Sequence, residues 1–197
     1  MGFPFGELLI FFLALVTWTE KRASRKFFYL LLLAWLIGKC GELVFPVIIP
    51  WHWHFARLAA MLFFAGWAWQ RAERRMLPLL FTSFFFCLET LFLVNEPGII
   101  PHESWLFVLI PFLVAWLTAR SYWGTAAAFT GGVLLNQIFK WFTYEGIIRS
   151  ADFPEPIVWH LTVILFAFWG GLRLVRLKHA GRVTAQAYEP SEEQELV

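Results

Sequence analysis

Eight ionisable or amide side chains stand inside otherwise apolar runs: Lys39, Glu42, Arg57, Glu89, Asn136, Gln137, Lys140 and His160. Glu7 lies near the outer end of the first such run. A charge in hydrocarbon is expensive, so each of these groups either binds something or is paired. Spacing sorts them. Lys39 and Glu42 are three apart and share a helical face on which they can pair. Asn136 and Lys140 are four apart with Gln137 adjacent, which gives one polar stripe. Glu89 has no cation on its own helix, so its expected partner is Lys140, Lys39 or Arg57 from another helix. Two readings follow. One is a small polar cavity open to the outside, with Glu89 as a proton or cation site and Lys140 and Asn136 as ligand contacts. The other is a buried polar network that fixes helix register.

A second constellation is His52, His54, His102 and Glu103, which could assemble a metal site from two loops. The same Pro50-Trp51-His52-Trp53-His54 run also reads as an aromatic interfacial segment. No HExxH, GxSxG, SxxK or P-loop motif is present, and no catalytic residue or cofactor is expected from the sequence. Asp152 is the sole aspartate, so the paired-aspartate chemistry of a membrane protease is excluded.

The elements that must position these residues are helices in a bilayer. Of 197 residues, 59% are hydrophobic and 15% charged, with mean hydropathy +0.63, where a soluble domain carries about 25% charged residues. That apolar excess is more than one soluble core can bury. Stretches of about 17–25 apolar residues are long enough to cross. Seven qualify, roughly 3–19, 27–49, 51–70, 76–94, 104–119, 124–142 and 157–175. The expected fold is therefore an all-α, polytopic transmembrane bundle of about seven spans. A layout of six spans, without the first, keeps the same orientation.

Charge sets that orientation, because Lys and Arg are retained on the cytoplasmic side. Lys21, Arg22, Arg25 and Lys26 follow the first stretch; Arg71, Arg74 and Arg75 follow the third. Arg120 follows the fifth, and Arg173, Arg176, Lys178 and Arg182 lie at the end of the last. The opposite connections carry Glu96, Glu103, Glu145, Asp152 and Glu155, with Arg149 as their one cation. The N-terminus is expected outside and the C-terminus in the cytoplasm. The basic cluster follows the first apolar run rather than preceding it, which is unlike a secretory signal. The basic residues are placed as topology requires, so nucleic acid is not an expected partner.

Depth unites the polar groups. At ~1.5 Å per residue, Glu89 lies ~20 Å from the cytoplasmic end of its run, and Asn136 and Lys140 lie ~18 and ~24 Å along theirs. Lys39 and Glu42 lie ~18 and ~22 Å along theirs. All fall in the outer half of a hydrocarbon core about 30 Å thick. Groups near the interface, Arg57 and Lys140 among them, could also snorkel outward.

Three pairs of small residues are four apart: Ala127 and Gly131, Ala128 and Gly132, and Ala167 and Gly171. Such faces allow close backbone approach, either within one bundle or at a homodimer seam. Cys40 and Cys87 lie in apolar runs and read as small buried hydrophobes. Residues 1–182 read as one helical membrane domain and 183–197 as a polar, acidic, disordered cytoplasmic tail.

The stretches Arg25-Lys26-Phe27-Phe28-Tyr29 through Gly38, and Glu89 through Pro97-Gly98-Ile99-Ile100 to Trp105, resemble a group of small multi-span membrane proteins of Firmicutes with no assigned function. Members of that group carry a proline after a basic and an aromatic residue; Arg120-Ser121-Tyr122-Trp123-Gly124 departs from this. The resemblance implies a bacterial cytoplasmic membrane location and adds no activity. Three functions remain open at this point. The first is a non-enzymatic accessory, sensor or partner subunit. The second is a small-molecule or ion transporter or binding protein that uses the outer polar cluster. The third is a membrane enzyme acting on lipid, with His102, His160 or a Glu as base.

Overall fold

Long apolar runs leave the backbone no water to bond, and a helix is the form in which such a run satisfies its own N–H and C=O groups. The computed structural model describes residues 4–18, 22–44, 51–95, 103–147 and 151–187. Seven helices fill them: α1 Phe5–Trp18, α2 Arg22–Val44, α3 Phe55–Arg71, α4 Met76–Asn95, α5 Glu103–Ala119, α6 Tyr122–Tyr144 and α7 Pro156–Ala187. Two short strands, β1 Trp51–Trp53 and β2 Ala151–Phe153, complete the set. The architecture is all-α apart from this strand pair. The chain forms two compact units, residues 1–164 and 165–197. The first holds α1 to α6, both strands and the first turns of α7. The second continues α7 to Ala187, which carries helix past the 182/183 boundary drawn from composition. The remaining tail residues, 188–197, lie outside the described residues.

Three helical stretches are long and apolar enough to cross a membrane: Arg25–Val44, Met76–Asn95 and Pro156–Arg176. Two shorter apolar helices, Phe5–Trp18 and Trp105–Ala119, accompany them. Their outward surfaces are apolar to an extent that soluble proteins avoid. Leu15, Leu43 and Leu80 are 73%, 81% and 66% exposed. Cys40 belongs to this outward surface, so it is not the buried hydrophobe expected from its surroundings. Trp35 packs its ring edge-on against Phe11, with centroids 5.5 Å apart, and its indole N–H has no bonding partner.

Helix α6 is the axis of the first unit, packed against α3, α4 and α5. Its first half explains why. Residues Gly124 to Thr130 are all buried, and most are small. A Cβ at Gly132 would lie 3.1 Å from Thr82 Cγ2 and 3.2 Å from Phe86 Cδ2, so the Ala128–Gly132 face seats α4. The Ala127–Gly131 face is also used within the chain: Ala127 is buried, and Leu79 of α4 closes over Gly131. These small residues pack against α4 within the chain, as close backbone approach allows. Gly171, in the second unit, has nothing within 4 Å of its Cβ position. Phe129 supplies the bulk the small residues leave out, its ring 5.6 Å from Phe86 and 5.7 Å from Phe112. Ser121 opens α6 as its N-cap, accepting from Gly124 N at 3.1 Å. Arg120 ends α5 at φ 53° and donates its backbone N–H to Trp116 O.

The α2–α3 crossing is set by Gly38. A side-chain carbon there would fall inside contact distance of the Phe55 and Ala56 backbone. One turn on, Glu42 uses both carboxylate oxygens: Oε1 accepts from Ala56 N at 3.0 Å and Oε2 from Lys39 Nζ at 2.5 Å. Ala56 N is one of the orphan donors at the start of α3, and His54 supplies no side-chain cap there. Glu42 therefore caps α3 from a neighbouring helix.

The apolar stretches differ from the observed helices at several ends; α2 begins at Arg22 rather than Phe27, and α7 runs past residue 175 to Ala187. Helix α2 stops at Val44, and residues 45–50 lie outside the described residues. Helix α3 begins at Phe55 rather than Trp51, because residues 51–53 pair in parallel with residues 151–153. Alternation explains this: Trp51 and Trp53 share one face and His52 takes the other. Trp51, Tyr144 and Phe153 form a buried cluster, with Trp53 stacked 5.0 Å from Phe153. His54 N extends the ladder to Phe153 O at 2.8 Å.

Candidate functional site: a polar cavity between α4, α5 and α6

The polar residues expected to form one cluster fall into three groups. Lys39 and Glu42 form the first and are committed to each other and to the α3 cap. Lys39 stays half-exposed.

The second group joins α1, α3 and the start of α7. Arg57 Nε donates to Glu7 Oε1 at 2.9 Å, and both side chains are only 15% exposed. His160 Nδ1 accepts from Gly6 N at 3.0 Å, so that nitrogen's lone pair is used and cannot take a proton from a substrate. Trp159 packs over Gly6 so closely that a Cβ there would meet its indole nitrogen. This group joins α1, α3 and the start of α7, with Glu7 Oε2, Arg57 Nη1 and Trp159 Nε1 buried and unpartnered within it.

The third group surrounds a cavity of about 140 Å³. Helix α4 contributes Phe86, Glu89, Thr90 and Leu93, at i, i+3, i+4 and i+7 on one face. Helix α6 contributes Val133, Asn136, Gln137 and Lys140 at the same spacing. Phe107 and Val108 of α5 close one side, and Glu155 and Val158 close another. The stripe seen in the sequence therefore does face a cavity, and Glu89 faces it from the opposite wall.

Each polar atom can be followed. Lys140 is 7% exposed and donates to Glu155 Oε1 at 2.5 Å. It does not snorkel outward. Glu155 is 37% exposed, so one end of this ion pair reaches the surface while the other is buried. Thr90 Oγ1 donates to Asn136 Oδ1 at 2.9 Å, which links α4 to α6. Gln137 Nε2 donates back to Val133 O at 3.3 Å. That bond fixes the amide's orientation, because a flipped amide would set oxygen against oxygen. Gln137 Oε1 is then left with no donor, and Glu89 Oε1 is buried without one as well. Glu89 therefore hydrogen-bonds to none of its three expected partners. Lys39 and Arg57 are engaged elsewhere, and Lys140 reaches Glu155 instead. Two carboxyl groups, those of Glu89 and Glu155, share this cavity with the one ammonium of Lys140.

Sequence reasoning missed two members. Glu155 stood in a connection between helices, where an acid normally faces water, and its pairing with Lys140 depends on where α7 begins. A threonine in an apolar helix ordinarily bonds its own i−4 carbonyl, as Thr130 does to Ala126 O. Thr90 instead crosses to α6, and no local signal distinguishes the two. Thr90→Val keeps the shape and strands a buried acceptor, so it costs about 1–3 kcal/mol. Thr130→Val, which strands no acceptor on another helix, should cost less than Thr90→Val. Denaturant or thermal unfolding of the two variants checks the difference.

Of the metal constellation, His52 and His54 are the members whose side chains are described. His52 is exposed on β1, and His54 faces Asp152 with Nε2–Oδ1 3.6 Å, longer than a hydrogen bond. His102 and the side chain of Glu103 lie outside the described residues. Among the described residues no three His, Cys, Asp or Glu side chains come together to hold a metal ion.

Fold and site thus define, among the described residues, a helical chain with three membrane-length apolar helices and a partly open polar cavity between α4, α5 and α6. No family model matches the sequence, and no curated protein and no solved structure matches it either.

Proposed function

We propose that this chain is a multi-pass protein of a bacterial cytoplasmic membrane that binds a small polar solute in the cavity between α4, α5 and α6. In this reading all seven helices cross, the N-terminus is outside and the C-terminus is cytoplasmic. The basic residues after α1, α3, α5 and along the second half of α7 support that orientation. The cavity then opens toward the outer side, where Lys140 and Glu155 lie. The protein acts in binding or transport rather than in catalysis, since neither the cavity nor the His160 group supplies a nucleophile with an adjacent base.

One observation carries the reading. Gln137 is 4% exposed, yet its Oε1 has no intramolecular donor, and Glu89 Oε1, on the facing wall of the same cavity, has none. A buried polar atom left bare costs about 1–3 kcal/mol, a cost that a bound solute with matching donors offsets. Atoms left open toward a cavity suit a solute.

A partner-subunit role has one observation of its own, an open apolar groove of about 540 Å³ over Gly38, Gly41, Phe55 and Leu62. Lipid acyl chains fill such a surface equally well, so the groove does not favour a protein partner.

The test is thermal unfolding of the purified full-length protein in detergent against a panel of small polar solutes, with Glu89→Gln alongside. A solute at about 100 times its dissociation constant adds about 2.7 kcal/mol. At least one solute is expected to raise the midpoint in wild type, with the gain lost in Glu89→Gln. A panel without effect, together with a variant that is merely less stable, would leave the group a structural network.

A further inference from the structure

We infer that the solute is a small ammonium-type cation, ammonium itself or a short primary alkylammonium, held between Glu89 and Gln137; this rests on the cavity being a binding site. The unpartnered atoms decide the class. Both are oxygens, one of a carboxylate and one of an amide whose orientation its bond to Val133 O fixes. Asn136 Oδ1 is already taken by Thr90. An acceptor pair calls for a ligand that brings N–H or O–H donors, and it repels an anion.

Charge adds to this. Lys140 is the one cation lining the cavity, and it is bound to Glu155. Glu89 lies within the electrostatic reach of Lys140 but forms no ion pair with it, so its carboxyl is the acid of this cavity that is bonded to no cation. A buried carboxylate of this kind is stabilised by a cation with matching donors. Lys140 itself shows that a primary ammonium is the chemistry this end of the bundle accommodates.

Size and lining narrow it further. The volume, about 140 Å³, lies well below the several hundred cubic ångströms of a site for a drug-sized ligand. The remaining wall is apolar, with Phe86 and Phe107 presenting rings and Leu93 and Val133 aliphatic surface. Aromatic walls attract cations, and aliphatic ones suit a short alkyl group. A divalent metal ion is disfavoured. It takes six or more oxygens, and with Asn136 bonded to Thr90 and Glu155 to Lys140 fewer than that are left around this space.

The experiment titrates the purified full-length protein with methylammonium chloride and reads the unfolding midpoint. Choline chloride holds ionic strength and chloride constant. Wild type is expected to show a saturable rise with methylammonium and none with choline, whose quaternary nitrogen has no N–H. Glu89→Gln should weaken the apparent affinity about tenfold or more, the loss of a charge-assisted hydrogen bond. Gln137→Leu should weaken it as well, and it carries the test if Glu89→Gln fails to fold. Potassium chloride and acetamide are the discriminating controls. An equal rise with potassium would overturn the assignment to an N–H donor. A rise with acetamide and none with methylammonium would overturn the cation while leaving a polar solute in the cavity. No rise with any of them would overturn both.

Discussion

Phe129→Ala is expected to cost about 3–5 kcal/mol and to remove most folded protein from the membrane fraction. The side chain is 0% exposed and sits where α4, α5 and α6 meet. Its ring touches Phe86 on α4 and Phe112 on α5, and its neighbours along α6 are alanine, threonine and glycine. Those small side chains bring the helices close and cannot move to fill a phenyl-sized void. A cavity there keeps most of its volume, which places the loss at the upper end for large-to-small changes. Phe84→Ala on the outward face of α4 is the control. That ring is 58% exposed and should be lost at little cost. Unfolding midpoints in the same detergent compare the two. A Phe129→Ala midpoint equal to that of Phe84→Ala would contradict the packing described for α6.

The second large effect is at Gly38. A methyl group there meets the Phe55 carbonyl and the Ala56 Cα, atoms of backbone rather than the ends of flexible side chains. Helices α2 and α3 must separate for Gly38→Ala to fit, at about 1–3 kcal/mol, and Gly38→Val should cost more. Separation also pulls Glu42 away from Ala56 N, so the α3 cap weakens in the same event. Gly41 lies three residues on, and its Cβ would meet Phe55 Cβ at an ordinary 3.7 Å. Gly41→Ala is expected within about 0.5 kcal/mol of wild type or slightly stabilised. The contrast between two glycines one turn apart isolates the crossing from helix propensity. Equal effects at the two positions would mean that Gly38 is not the point of closest approach.

Local periodicity made part of this legible. The pairing of Lys39 with Glu42 follows from their separation by three, and the stripe of Asn136, Gln137 and Lys140 from a single helical face. The apolar stretches gave the helices because length and hydropathy are local properties. What could not be read was which stripe faces which. Glu89 had three candidate cations, and sequence spacing ranks none of them, since their distances depend on helix order and rotation. Lys140 went to Glu155 because α7 starts at Pro156 beside the end of α6, a fact of tertiary placement. Arg57 went to Glu7, an acid on the first helix, fifty residues away. The strand pair was hidden for the same reason. Trp51-His52-Trp53 alternates over only three residues, too short to outweigh the apolar run that follows, and its partner lies a hundred residues on. Phe129 carried no signal at all, being one of 23 phenylalanines.

The most direct test of an outward-opening solute cavity is the reactivity of a cysteine at Leu93, one turn from Glu89 on the cavity-lining face of α4. Cys40→Ser and Cys87→Ala provide the background, and Met76→Cys at the other end of α4 is the reference. Intact cells are treated with a membrane-impermeant maleimide before and after permeabilisation. The expected result is labelling of Leu93→Cys from outside in intact cells, with Met76→Cys labelled only after permeabilisation. Labelling of Leu93→Cys only after permeabilisation, or not at all, would contradict a cavity that admits solute from the outer face.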